Sequence, residues 1–245
     1  MQSDTLRTET DRIRREYSRR ATEIPPDHYS ILRPENLFAI EGRNRAFIQV
    51  LKATGSRISQ SNKVLEVGCG DRGWSPLFSQ IGIPASNLAG IDLMVDRIRT
   101  AKSIVRGGGF CVGNAAQLPW KSGTFDVVLQ SQVFTSILQE DMRCAVAEEM
   151  VRVLRDEGFI IWYDFIHNNP WNSNVRGVPK SMIRKYFPES GLYCRRVTLA
   201  LPITRRIIPF SWPLAEFLQH LWILNSHLMA IIVPLRTRRR NKTHS

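Results

Sequence analysis

A mainly parallel, doubly wound α/β sheet is the fold this sequence predicts, and three observations predict it. Short apolar runs alternate with segments of helical periodicity between residues 63 and 165. One run, Val64-Leu65-Glu66-Val67, enters a glycine turn, Gly68-Cys69-Gly70, and a helix start follows at Ser75-Pro76. The last third of the chain changes character: two β-prone runs flank a helical insertion. Strands buried on both faces read as continuous apolar runs, and alternation with helices implies parallel pairing through right-handed crossovers.

Taken in order, residues 5–22 carry many arginines and few apolar residues, which predicts a solvated helix. Ile24-Pro25-Pro26 ends it. Residues 35–54 place Leu37, Phe38, Ile40, Phe47, Ile48 and Leu51 at near-helical spacing, a helix that packs on the sheet. Strands are expected at 63–67, 88–93, 110–113, 125–130 and 159–163, the last entered through a turn at Asp156-Glu157-Gly158. Helices are expected at 76–81, 95–106 and 141–154. Beyond these come a helix at 179–187, a strand at 196–201, a helical insertion and a last strand at 227–233. The organisation is an N-terminal helical lid over 1–62, a core domain over 63–235 with its insertion at 204–226, and a basic tail over 236–245.

At 245 residues with 43% apolar content, the chain suffices for one α/β domain with a small appendage. The net charge of +12 is spread along the chain, which suits either attraction to anions or compositional bias. Cys69, Cys111, Cys144 and Cys194 show no metal-ligand or disulfide spacing, so no metal is expected and a reducing cytoplasm fits. Residues 210–235 are apolar but interrupted by Pro213, Glu216, His220, Asn225, His227 and Pro234, a poor membrane span. Trp212, Phe217, Leu221 and Trp222, backed by the basic tail, suit a peripheral contact at the inner face of a membrane. No aromatic–basic RNA motif is present.

The turn Gly68-x-Gly70-x-x-Gly73 also matches a dinucleotide fingerprint, with Asp92 at the spacing of a ribose-binding acid. Glu66, two residues before Gly68, argues against NAD, because a carboxylate there repels a pyrophosphate and attracts a cationic amine. S-adenosylmethionine offers an ammonium and a sulfonium and carries no phosphate. Asp92 accepts ribose hydroxyls in either case. Asn114, after the third strand, suits an adenine edge.

The segments Val64–Gly70, Gly90-Ile91-Asp92, Gly113-Asn114-Ala115-x-x-Leu118-Pro119, Phe125–Val128 and Glu149-Met150-x-x-Val153-Leu154-x-x-x-Gly158 resemble, in order and spacing, the successive motifs of class I S-adenosylmethionine-dependent methyltransferases. The resemblance implies a seven-stranded sheet with an antiparallel last strand. It also implies that Glu66, Gly68, Cys69, Gly70, Asp92, Leu93, Asn114, Ala115 and Gln130 line the cofactor. Arg72 stands where the family often has glycine, and Asn114 where it usually has aspartate.

The block Trp162–Asn172 gathers a carboxylate, an imidazole, amides and aromatics just after the fifth strand. Asp164 or His167 is expected to take a proton from an acceptor hydroxyl. Aromatic faces with amides also suit a sugar ring. This block, with Arg176-Gly177, Arg195–Ala200 and Tyr29–Phe38, resembles a bacterial methyltransferase subgroup associated with surface-polysaccharide and glycan gene clusters. The resemblance implies O-methylation of a sugar or glycan precursor. Rival readings are a methyltransferase for a small natural product, lipid quinone or amine, an NAD-dependent enzyme, and a non-enzymatic module binding RNA or membrane.

Overall fold

The computed structural model describes residues 2–235 except 26, 72, 170 and 171, with side chains from residue 5 onward. The basic tail 236–245 and the orientation of Arg72 lie outside the described residues.

Seven strands form one sheet in the order β3-β2-β1-β4-β5-β7-β6. The strands are β1 (Val64–Val67), β2 (Leu88–Asp92), β3 (Gly109–Val112), β4 (Phe125–Ser131), β5 (Leu154–Phe165), β6 (Ser190–Leu199) and β7 (Asn225–Pro234). β1 to β5 pair in parallel, and β7 inserts antiparallel between β5 and β6. The order reverses between β1 and β4, so both strands end at a switch point where open sheets of this type take ligands.

The helices are α1 (Gln2–Glu23), α2 (Pro34–Thr54), α3 (Ser75–Gln80), α4 (Val95–Ile104), α5 (Glu140–Val153), α6 (Lys180–Tyr186), α7 (Leu201–Ile207) and α8 (Trp212–His220). On one sheet face, α5 and α6 bury Val146, Met150 and Ile183 against Val128, Ile160 and Trp162. On the other, α2 and α3 bury Phe47, Val50 and Phe78 against Leu129, Ile161 and Met229. A small separate cluster, Phe38, Leu199, Ile208 and Ala215, seats the insertion on α2.

Three expectations need correction. Helix α1 is not simply solvated: Glu9, Thr10, Ile13 and Glu16 are buried, and Ile13 joins the main core. Its polar inward positions bond to loop backbone and side chains, which an apolar-periodicity reading does not detect. The turn at residues 156–158 is absent, because α5 passes directly into a long β5 whose exposed beginning carries Arg155, Asp156 and Glu157. Strand β6 begins at Ser190, before the expected run, because it pairs with β7 along nearly its whole length.

Candidate active site

The glycine turn is organised around two acids. The Trp74 N–H donates to both oxygens of Glu66, at 2.9 and 3.0 Å, and the Ser75 hydroxyl donates to one of them. Glu66 is 2% exposed, and burial raises its pKa to about 7 against those donors. Its carboxyl is thus the internal anchor of the turn. Gly73 packs so closely that a Cβ there would stand 2.5 Å from both Glu66 oxygens. Asp92 ties the turn to the next strand: the Gly70 N–H donates to one oxygen at 3.0 Å and the Met94 N–H to the other at 2.9 Å.

Gly68 and Gly70 have φ of +66° and +58°, a left-handed backbone that favours glycine. A Cβ on Gly68 would stand 2.3 Å from Val133 Cγ2, whereas one on Gly70 would meet only Arg97 Nη1 at 4.0 Å. The turn is therefore packed tightly at its first glycine and open at its second. Cys69 is buried beneath it, and burial pushes its thiol up, which suits packing and not nucleophilic chemistry.

Asn114 follows β3. Its carbonyl accepts from the Ala116 N–H and its amide donates to Thr10 on α1 at 3.0 Å. Ala115 and Leu93 pack against the same core as Ile13. Gln130, fully buried at the tip of β4, accepts from the Val133 N–H, while its Nε2 has no partner. Arg12 donates to the Ser136 carbonyl at 2.6 Å and to Glu9, yet its Nη1 is also buried without a partner. Both orphaned donors flank the 130–136 segment. Tyr17, whose ring lies under Arg97, bonds to Ser136 at 3.0 Å. Helix α1 is thus a cover fastened to β3, β4 and α4. A methionine-like group with a carboxylate fits two unpaired donors, and a ribose fits the partly exposed carboxylate of Asp92.

The groups beyond β4 and β5 are arranged differently from expectation. Asp164 is wholly enclosed. The Thr135 hydroxyl and the Phe165 N–H donate to one oxygen at 2.6 and 3.0 Å, and the Thr135 N–H donates to the other at 3.2 Å. Burial raises its pKa to about 6. The structure therefore uses Asp164 to hold the segment after β4. His167 is exposed on the following loop. The neighbouring amides serve the chain itself: Asn168 accepts from the Gly177 N–H, Asn172 from the Asn174 N–H, and Asn174 donates to Glu16.

The sequence reading missed a cluster centred on His227. Its ring stacks on Tyr163 with centroids 4.6 Å apart and planes 8° apart, and meets Phe165 at 3.9 Å. Burial lowers its pKa to about 3, so the ring is neutral near pH 7. A neutral ring bonded to Gln132 Nε2 at 3.1 Å through Nε2 leaves Nδ1 to donate to Ser226. The Tyr163 hydroxyl bonds to Thr198 at 2.9 Å, and burial raises its pKa to about 12. Gln132 and Thr198 are the two non-glycine residues at positive φ among the described residues, and each bonds to this stack. Left-handed backbone in non-glycine residues stores strain and marks functional sites more often than ordinary surface. Arg43, from α2, lies over the Trp74 ring at 4.3 Å, and burial lowers its pKa, which nearby Glu66 partly offsets. Only Tyr163, Asp164 and Phe165 in this group belong to the block read from sequence. The others come from distant segments.

Among the described residues, no group of three or more His, Cys, Asp or Glu is placed to hold a metal ion.

Comparison with known proteins gives a consistent picture. Residues 65–162 match the family described as "Methyltransferase domain". A phthiotriol/phenolphthiotriol dimycocerosates methyltransferase of Mycobacterium tuberculosis is 34% identical over 149 residues, covering 58% of this chain and 54% of its own length. A fatty-acid O-methyltransferase of Mycolicibacterium smegmatis is 31% identical over 124 residues, covering 49% and 44%. The chain thus spans about half the length of the curated relatives it matches. The solved structure of the PH0226 protein from Pyrococcus horikoshii shares the fold, with a TM-score of 0.57 at 18% identity over 89% of this chain and 98% of that one. Family match, strand order and glycine turn agree: residues 65–162 are similar to a methyltransferase domain, and S-adenosylmethionine is the cofactor that this likeness points to.

Proposed function

We propose that this chain transfers a methyl group to a hydroxyl of a lipid or lipid-linked acceptor. The observation that carries the transfer is the convergence of the glycine turn, Asp92, Asn114 and the unpaired donor of Gln130 at one end of the sheet. S-adenosylmethionine supplies an electrophilic methyl on a sulfonium when bound. Asp92 would accept from the ribose hydroxyls while it holds Gly70. Asn114 would face the adenine edge. Gln130 Nε2 and Arg12 Nη1 would hold the methionine carboxylate, and α1 would shield the cofactor from water. Leu93, Ala115 and the backbone of Gly68, Cys69 and Gly70 would complete the walls.

On the acceptor side, the half-buried Phe165, backed by the Tyr163–His227 stack, would offer aromatic surface. In-line placement of acceptor and methyl does most of the work in such a reaction. We assign Asp164 a positioning role, holding the segment that follows Gln130, and leave direct proton transfer to the exposed His167.

The lipid reading is supported by the names of the two relatives, which specify dimycocerosate lipids and a fatty acid as acceptors. The sugar reading drew on the amides after β5. Asn168, Asn172 and Asn174 bond within the chain, so that argument weakens.

The test is incubation with labelled S-adenosylmethionine and, separately, with bacterial lipid extract and with nucleotide-sugar and oligosaccharide pools. Label is expected in the lipid fraction as a methyl ether. Label confined to sugars would restore the glycan reading, and label in neither pool would count against both.

A further inference from the structure

We infer that the face formed by α8, the residues flanking it and the loop before α2 docks on a membrane surface rich in anionic lipid. This goes beyond the proposed chemistry and does not depend on it.

The first observation is a helix with apolar residues on the wrong side. Leu214 and Phe217 lie three residues apart on one side of α8, and Phe210 and Leu221 flank its two ends. Phe210, Leu214, Phe217 and Leu221 are 88%, 43%, 64% and 41% exposed. The opposite side already supplies the core contact, with Ala215 fully buried and Trp212 edge-on to Phe38 at 5.3 Å. A helix lying on a domain in water normally turns charge outward. Trp222 and Ile223, in the separate short turn after Leu221, are also exposed, at 62% and 63%. Ile31 and Leu32 reach solvent from the loop that His28 ties to α7 through Arg205 at 3.1 Å.

The second observation is the charge around that face. Between residues 195 and 235 the chain has Arg195, Arg196, Arg205 and Arg206 but only one acid, Glu216, which is paired with Arg45 at 2.5 Å. Beside that face lies a cavity of about 550 Å³ lined by Lys180, Arg195, Arg196 and His220, with Trp222 at its edge and no acid in its walls. Arg196 sits over the Trp222 ring at 5.1 Å.

Apolar side chains, an interfacial tryptophan and surrounding cations are what an interfacial helix presents to anionic headgroups. The cavity is placed to receive one headgroup phosphate. Among the described residues no helix is long and apolar enough to cross a membrane, so the contact is with the surface. Pairing of this face with a second copy would oppose two arginine groups at close range, which favours lipid phosphates as the occupant.

Flotation of the full chain with vesicles tests this. Vesicles of phosphatidylglycerol and phosphatidylcholine should carry the protein, and pure phosphatidylcholine should carry much less. The double variant Phe210→Ser/Phe217→Ser should partition roughly a hundredfold more weakly, since each exposed phenylalanine lost removes on the order of a tenfold gain. Its melting temperature and S-adenosylmethionine titration should match the parent. Arg205→Glu/Arg206→Glu should erase the preference for anionic vesicles. Equal flotation of parent and double-serine protein would overturn the inference and assign binding to basic sequence such as Arg236–Arg240. Failure of the parent to float, or a dimer that the serine variant dissociates without any vesicle binding, would also overturn it.

Discussion

The two halves of the ligand end of this sheet are built by opposite means. In the half made by β1, β2 and β3, side chains accept from backbone N–H groups of the glycine turn and its neighbouring loops: Glu66 from Trp74, Asp92 from Gly70 and Met94, and Asn114, which also reaches Thr10 on α1, from Ala116. In the half made by β4, β5 and β7, side chains bond to partners far away in sequence: Asp164 to Thr135, His227 to Gln132, Tyr163 to Thr198. Bonds of the first kind, to backbone of a glycine turn, need fixed spacing and special backbone, so they leave a motif. Long-range bonds of the second kind need only a compatible pair of side chains, so they leave none.

The largest effect expected is at the first turn glycine. Gly68→Ala must accept both a left-handed backbone and a 2.3 Å approach to Val133 Cγ2, so it should lose roughly 3 kcal/mol or more in thermal unfolding. Gly123→Ala is the control, since it shares a positive φ but meets nothing within 4 Å, and should cost only about 1 kcal/mol. Similar losses at both would show that the turn is not tightly packed.

Glu66→Gln separates the halves by pH. The folded pKa of Glu66 is raised to about 7. Its contribution is therefore fully present below the unfolded value of about 4.3 and is lost as pH rises through about 7, a change of roughly 3 kcal/mol. The stability difference between Glu66→Gln and the parent should shift in favour of the variant across that window. A constant difference from pH 4 to 8 would mean that Glu66 is not held in this environment.

Asp164→Asn should cost about 2 kcal/mol, because an amide must replace an enclosed carboxyl that accepts three hydrogen bonds. It should leave the affinity for S-adenosylmethionine within about twofold, since its partners lie on the acceptor side. Full stability with turnover abolished would instead favour the base role read from sequence.

The same contrast explains how much was legible. The parallel sheet, the helix boundaries to within a few residues and the turn with Asp92 follow from apolar runs and glycine spacing. Asp164 was legible as a residue but not in its partners, because Thr135 gives no signal of its own. His227 was read only as the start of an apolar strand. Its neutral state depends on burial between Tyr163, Phe165 and Gln132. The docking of α1 was hidden because Glu9, Thr10 and Glu16 turn polar side chains inward to meet loop donors, which makes the buried face look solvated.

The central claim is that the glycine turn and Asp92 bind S-adenosylmethionine. Calorimetric titration of the parent chain and of Asp92→Ala with S-adenosylmethionine tests it most directly. The parent should bind, NAD should give no heat, and the variant should lose about 100-fold in affinity, as removal of a charged acceptor for ligand hydroxyls and of the Gly70 clamp requires. Equal binding by parent and variant, or binding of NAD in place of S-adenosylmethionine, would contradict the account.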